Sequence, residues 1–243
     1  LTEYIDILLD HRWLVTTVTT LAVLIGVAYV FLATPIYQSD LLVQVEDAAP
    51  DAKGILGDVS NLFEVKTPSA GEIQILRSRM VVGAAVDETR FYIDAAPKYL
   101  PVIGEWLSRR SNTLSSPGFM GFGGFVHGNE RVRINRFEIP SSLEDGDPFI
   151  LTALGGGRYS LNQSALPEQL EGIVGQPLHV SFENGSLDIL VDELLGNSGA
   201  QFVVTRASRL RTIEDLQQRM QLAEQGRQSN VISAKLEDSD RDR

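Results

Sequence analysis

The chain has 243 residues, 43% of them hydrophobic, with a net charge of −11 and no cysteine. That length admits one or two domains with a sizeable core. The acidity argues against nucleic acid as a partner and against a polybasic grip on anionic lipid, and the missing cysteines exclude disulfide stapling and thiolate metal sites.

Residues 1–12 read as an amphipathic, cytoplasmic lead-in. Tyr4, Ile5, Leu8 and Leu9 fall at helical spacing, with Glu3, Asp6 and Asp10 between them. Residues 13–33 then run for 21 residues without a charge. At about 1.5 Å per residue they cover roughly 31 Å, close to the hydrocarbon thickness of a bilayer. Trp13 stands at one end and Tyr29 and Phe31 near the other, as an aromatic belt would place them. Thr16, Thr17, Thr19 and Thr20 are tolerable, because a helical hydroxyl can bond the carbonyl one turn back. The reading is a transmembrane helix contacting the lipid bilayer. The alternative, a cleaved signal peptide, fits poorly: the run is too long, its lead-in is acidic, and 31–37 offers no cleavage site. Arg12 is the one basic residue before the span and Lys53 the first after it, which favours a cytoplasmic N-terminus.

Thr34-Pro35 stops the helix, since proline lacks an amide donor and drives its predecessor out of the α region. A strand over 37–46 follows, with Leu41, Val43 and Val45 alternating with Leu42, Gln44 and Glu46. A loop over 48–68 carries a short helical turn near 59–63. One helix is then expected from Ser69 to Thr89, opened by the capping box Ser69-Ala-Gly-Glu72. Ile73, Leu76, Met80 and Ala84 make its apolar face, widened by Ile75, Val82 and Val86. Arg77 and Arg79 lie off that face, as solvated charges or as ionic contacts to a neighbouring subunit.

Residues 91–110 hold two prolines after Ala95 and a short amphipathic piece around Trp106. Residues 111–128 are rich in Gly, Ser and Phe, and no packed core is expected there. Phe119, Met120, Phe122 and Phe125 form an apolar loop that packs on a neighbour, on the membrane surface or on its own domain. Short strands follow over 131–139, 149–154, 159–161, 175–183 and 186–190, with turns at 144–148, 155–157 and 183–185. Asn184-Gly185 is a strong hairpin signal. A strand over 201–205 is expected to pair with 39–46. A helix from about Thr212 ends at Gly226, a strand covers 230–236, and 237–243 looks like a truncated charged end.

The fold class is α+β. A transmembrane helix leads into a membrane-proximal α/β domain of residues 34–90 and 200–236. An antiparallel β-sandwich-like domain, 91–199, is inserted in it. Chemistry is hard to place on this chain. His11, His127 and His179 fall on unrelated elements, so no zinc site is expected. The glycines at 121–124 and 155–157 lack the Lys-Ser/Thr of a phosphate loop, and Glu144-Asp145-Gly-Asp147 lacks the ligand series of a calcium loop. No residue is nominated as catalytic, and no cofactor or metal is assigned to this segment.

Three stretches carry a resemblance. The lead-in Tyr4-Ile-Asp-Ile-Leu-Leu-Asp-His-Arg-Trp-Leu14, the exit Ala33-Thr-Pro-Ile-Tyr-Gln-Ser-Asp-Leu-Leu-Val-Gln-Val-Glu46 and Glu72-Ile-Gln-Ile-Leu-Arg-Ser-Arg-Met80 resemble the Wzz-type chain-length determinant domain of polysaccharide co-polymerases. Ala96-Pro-Lys-Tyr-Leu-Pro-Val-Ile-Gly104, the β-rich insert and Glu224-Gln-Gly-Arg-Gln-Ser-Asn-Val-Ile232 are similar to the longer, Wzc-like subfamily, whose periplasmic domain is fused to a cytoplasmic tyrosine autokinase. The resemblance implies a bacterial inner-membrane protein of capsule or exopolysaccharide export. It implies a homo-oligomeric ring and partnership with the polymerase and the outer-membrane exporter. It also implies a second span and an ATP- and Mg-dependent kinase domain, neither of which lies in these residues. Arg77, Arg79, Phe119, Phe122 and Phe125 are the candidate subunit contacts. Two other readings compete: the extracytoplasmic sensor of a signalling receptor, and a periplasmic adaptor, for whose coiled-coil hairpin there is no pattern.

Overall fold

The structure, a computed structural model, describes residues 11–33, 35–45, 68–101, 103–118, 123–144, 146–182, 185–226 and 231–238. Helix α1 (Arg12–Leu32) matches the expected apolar span within a residue at each end. None of its apolar window is buried against protein. Such a surface is stable only against an apolar solvent or partner. Inside it the Thr17 hydroxyl donates to the Trp13 carbonyl at 2.7 Å, so this polar side chain leaves no orphan donor. Residues 1–10 of the lead-in and the 48–67 loop lie outside the described residues.

Strand β1 (Tyr37–Gln44) follows after four residues. It pairs antiparallel with β11 (Val231–Asp238), not with 201–205 as expected. Strand β10 (Gln221–Glu224) completes a three-stranded sheet in the order β1-β11-β10. The expected pairing failed because local pattern gives a strand its type and its faces, but not its partner.

The single helix expected over 69–89 is two helices, α2 (Pro68–Leu76) and α3 (Arg79–Thr89). Ser78 breaks it. Its backbone is extended (φ −64°, ψ 149°), and its hydroxyl accepts from the Val81 amide, so it caps α3. Pro68, whose fixed φ suits a first helical turn, opens α2, so Ser69 is not the cap. The buried face keeps the expected Val82 and Val86 but not Met80 and Ala84. Val82, Gly83 and Val86 are inside, whereas Met80 is 79% exposed and Ala84 faces solvent. Helix α5 (Arg209–Arg219) packs on α3, burying Val82, Val86 and Ile213 with Phe91, Tyr92, Leu216 and Met220 around them. Ser208 caps it, four residues before the expected start, and it ends at Met220 rather than Gly226 because 221–224 pair with β11.

The rest is a sandwich of two antiparallel sheets. One has the order β2-β9-β4-β5-β6 and the other β3-β8-β7. Its strands are β2 (Ile93–Pro97), β3 (Arg131–Glu138), β4 (Phe149–Gly155), β5 (Arg158–Asn162), β6 (Leu170–Ile173), β7 (Pro177–Phe182), β8 (Gly185–Leu195) and β9 (Gln201–Arg206). A short helix α4 (Gly104–Ser108) carries Trp106. Alternation puts Phe149, Leu151 and Ala153 inward from one sheet and Leu187, Ile189 and Val191 from the other. Phe137 and Phe149 meet edge to face at 5.0 Å in this core. The expected strands stand here, but β2 and β6 were not foreseen and β8 runs on to Leu195. Gly185 lies opposite Phe182 in the ladder, so the Asn-Gly signal marks a real hairpin, with 183–184 outside the described residues. The Gly-rich stretch contributes to the core after all: Val126 is fully buried.

Candidate subunit-contact site

The helix pair α3/α5 positions the first two candidate residues. The Arg77 guanidinium donates to the Met220 carbonyl at 3.3 Å, and the Gln217 amide donates to the Arg77 carbonyl at 2.6 Å. Arg79 pairs with Glu214 at 2.7 Å. Both arginines therefore brace α5 of their own chain. Arg79 is still 65% exposed, so its pair contributes little stability and leaves the guanidinium able to meet a second surface. Further along, Arg209 grips Asp87 with two bonds of 2.6 Å. That grip holds the Asp87 carboxyl below its ordinary range and raises Arg209.

Phe125 packs on its own domain. Lys98 lies over its ring at 4.8 Å and donates to the Gln201 side-chain oxygen at 2.9 Å. The backbone around it is tied down: Val126 N–H donates to the Lys98 carbonyl, and Gln201 N–H to the Gly124 carbonyl. Gly124 is held at φ +87°, and a Cβ there would stand 2.2 Å from the Gln201 side chain, so glycine is required. Phe119, Met120 and Phe122 lie outside the described residues. The structure thus gives Arg77, Arg79 and Phe125 partners within the chain, and it places the arginines on the helix pair and Phe125 on the sandwich.

Sequence reasoning missed two polar centres, one buried and one half-buried. Glu130 is 2% exposed and accepts from the Ser115 amide (2.6 Å), the Ser115 hydroxyl (2.7 Å) and the Gly128 amide (2.9 Å). It ties Ser115 to Gly128. Arg206, with a side chain 9% exposed, bridges Glu138 at 2.7 Å and Glu144, and its guanidinium lies 4.9 Å from the Tyr92 ring centre. The partners of Arg206 are 62 and 68 residues away, so no local pattern signals them. A cavity of about 230 Å³ opens beside it, lined in part by Asp147, Thr205 and Arg211.

Among the described residues one cluster on the β7–β8 hairpin links a histidine to a carboxylate and a hydroxyl. His179 Nδ1 lies 2.6 Å from Asp188 and its Nε2 3.4 Å from the Ser181 hydroxyl. That connectivity is a triad's, but it sits on the solvent face of the β7–β8 hairpin with His179 60% exposed. Water is not excluded, and the arrangement is that of a cross-strand polar cluster. Among the described residues no group of three or more His, Asp or Glu is placed to hold a metal.

The chain crosses from the helical unit into the sandwich and back at one point. Ala207 N–H donates to the Tyr92 carbonyl at 2.9 Å, and Ile93 pairs with Arg206. Two family matches meet at that crossover. Residues 1–89 match the Wzz family, chain length determinant protein, and 93–207 match the N-terminal domain of the tyrosine-protein kinase Wzc. The chain belongs to the Wzz/Wzc family. It is 48% identical over 98% of its length to a "Putative tyrosine-protein kinase EpsB" of Ralstonia nicotianae, covering 31% of that protein. It is 31% identical to the tyrosine-protein kinase etk of Escherichia coli K12 over 95% of this chain, and to the tyrosine-protein kinase wzc of Salmonella typhimurium over 96%, covering 29% and 30% of them. The chain therefore spans about a third of the length of the curated relatives it matches. The Wzc N-terminal match coincides with the sandwich, β2 to β9, and the Wzz match with α1, β1 and the α2–α3 helices.

Proposed function

We propose that this chain is the anchoring and extracytoplasmic segment of a polysaccharide co-polymerase. In this reading α1 crosses the bacterial inner membrane and the strands and helices after it stand in the periplasm. Copies assemble into a ring that scaffolds the polymerase and the outer-membrane exporter and so influences the length of an exopolysaccharide or capsule chain. The parent protein is a tyrosine autokinase, and ATP and Mg²⁺ act in its kinase domain, away from these residues. The observation that carries the reading is the tandem of a Wzz match and a Wzc N-terminal match meeting at the Tyr92–Ala207 crossover.

The test is polymer length. A strain lacking the gene is complemented with the full-length protein or with one whose residues 93–207 are replaced by a short linker. Loss of high-molecular-weight polymer, with the truncated protein still in the membrane fraction, is the expected result. An unchanged length distribution would remove the sandwich from the proposed role.

A further inference from the structure

Strand β1 is unusual for a strand in a folded unit. Leu41 and Leu42 point to opposite faces of the sheet, yet they are 61% and 59% exposed. Ile36 (71%) and Tyr37 (40%) extend the apolar surface back toward α1. Among the described residues β1 bonds only to β11, so its outer edge presents a row of backbone donors and acceptors. Its eight residues hold one charge, Asp40, and Lys235 on the neighbouring strand lies 3.8 Å from it. At the α1 end of that ladder, opposite Tyr37, Asp238 is paired with Arg219 at 2.9 Å.

The connection to α1 decides what covers this edge. Four residues separate Leu32 from Tyr37, so β1 starts within about 18 Å of the end of the apolar helix. We propose that the free edge of β1 is seated in the lipid headgroup layer, with Tyr37 at its start and Leu41 and Leu42 dipping to either side of it. The headgroup layer is about 5–8 Å deep on each side of the hydrocarbon, while eight strand residues extend about 27 Å, so the strand runs along the layer and not across it. Backbone groups that would be orphaned in hydrocarbon find water, phosphate and ester oxygens there. The same seating shields an edge that would otherwise pair with other chains. This inference rests on α1 being a membrane span.

The cysteine-free segment permits a direct test. The full-length protein, with any cysteine elsewhere replaced, is given one cysteine by Leu24→Cys, Leu41→Cys, Leu42→Cys or Ile173→Cys and labelled with an environment-sensitive fluorophore. Each protein is reconstituted in phosphatidylethanolamine–phosphatidylglycerol vesicles containing headgroup- or chain-quenching lipid. Label at 41 and 42 should shift to the blue and be quenched most by the headgroup quencher. Label at 24 should respond most to the chain quencher, and label at 173 to neither. No quenching at 41 and 42, with 24 still quenched, overturns the seating while leaving the anchor intact. Disulfide cross-linking of the unlabelled Leu41→Cys thiols between subunits under a mild oxidant, or a blue shift without lipid quenching, assigns the edge to another copy or another segment and overturns it too. Loss of quenching at 24 would overturn the anchor itself. These side chains lie outside both cores, so the substitutions do not touch packing; should either leucine variant fail to assemble, Ile36→Cys replaces it.

Discussion

Tyr159 is the largest fully buried side chain of the sandwich, and its hydroxyl has no hydrogen-bond partner among the described residues. Burial pushes its phenol up to about 12. The neutral form is the one the fold favours, so this contribution is present below pH 10 and is lost as pH rises from about 10 toward 12. Absorbance titration at 295 nm should show one of the six tyrosines ionising late, and Tyr159→Phe should remove that step. Removing an unpartnered hydroxyl should also leave stability unchanged or raise it by up to about 1 kcal/mol, measured by urea denaturation. Gly172 presses on the same ring: a Cβ there would stand 2.4 Å from the Tyr159 hydroxyl. Gly172→Ala should therefore cost about 1–3 kcal/mol. Its cost should fall in a Tyr159→Phe background, because the two changes share one contact.

At the scale of elements, the α3–α5 pair shows how charge and packing divide the work. Its core is three buried side chains, Val82, Val86 and Ile213. The Asp87–Arg209 fork holds the helices from outside. Because Asp87 titrates below its unfolded value, its contribution is present above the ordinary aspartate range and is lost as pH falls through its lowered value. Asp87→Asn should lower the urea midpoint at pH 7 and converge with the wild type in acid; parallel curves at both pH values would show that the charge does not matter. The helices themselves were readable from apolar spacing, but their ends were not. Ser78 could extend a helix or cap one, and only contacts made 135 to 143 residues away, Arg79 to Glu214 and Arg77 to Met220, select the cap.

For the whole molecule, two cores of unequal size predict unequal local stability. Among the described residues fourteen are buried in the sandwich core and three in the helical one. Hydrogen exchange should be slowest in β4, β5 and β9 and faster in α3 and α5; equal protection would mean that the units unfold as one. Arg206 ties them at the crossover. Arg206→Met strands Glu138 and Glu144 opposite no cation and should cost roughly 2–3 kcal/mol, less than for a fully buried pair because Glu138 is half exposed. Arg206→Lys should recover only part of it, since an ammonium cannot fork to two carboxylates.

The sequence by itself determined the uncharged run over 13–33, the strands β3, β4, β5, β7 and β8 and the absence of a phosphate-loop motif, because these follow from the order and spacing of residues along a short stretch. It also carried the family, through the exit after α1 and the 72–80 segment. Tertiary structure alone decided that 37–44 pairs with 231–238, that 201–206 belongs to the sandwich, and that the buried Glu130 and the half-buried Arg206 find their partners. Those facts depend on which distant segments meet, and a period of two or of 3.6 is silent about that.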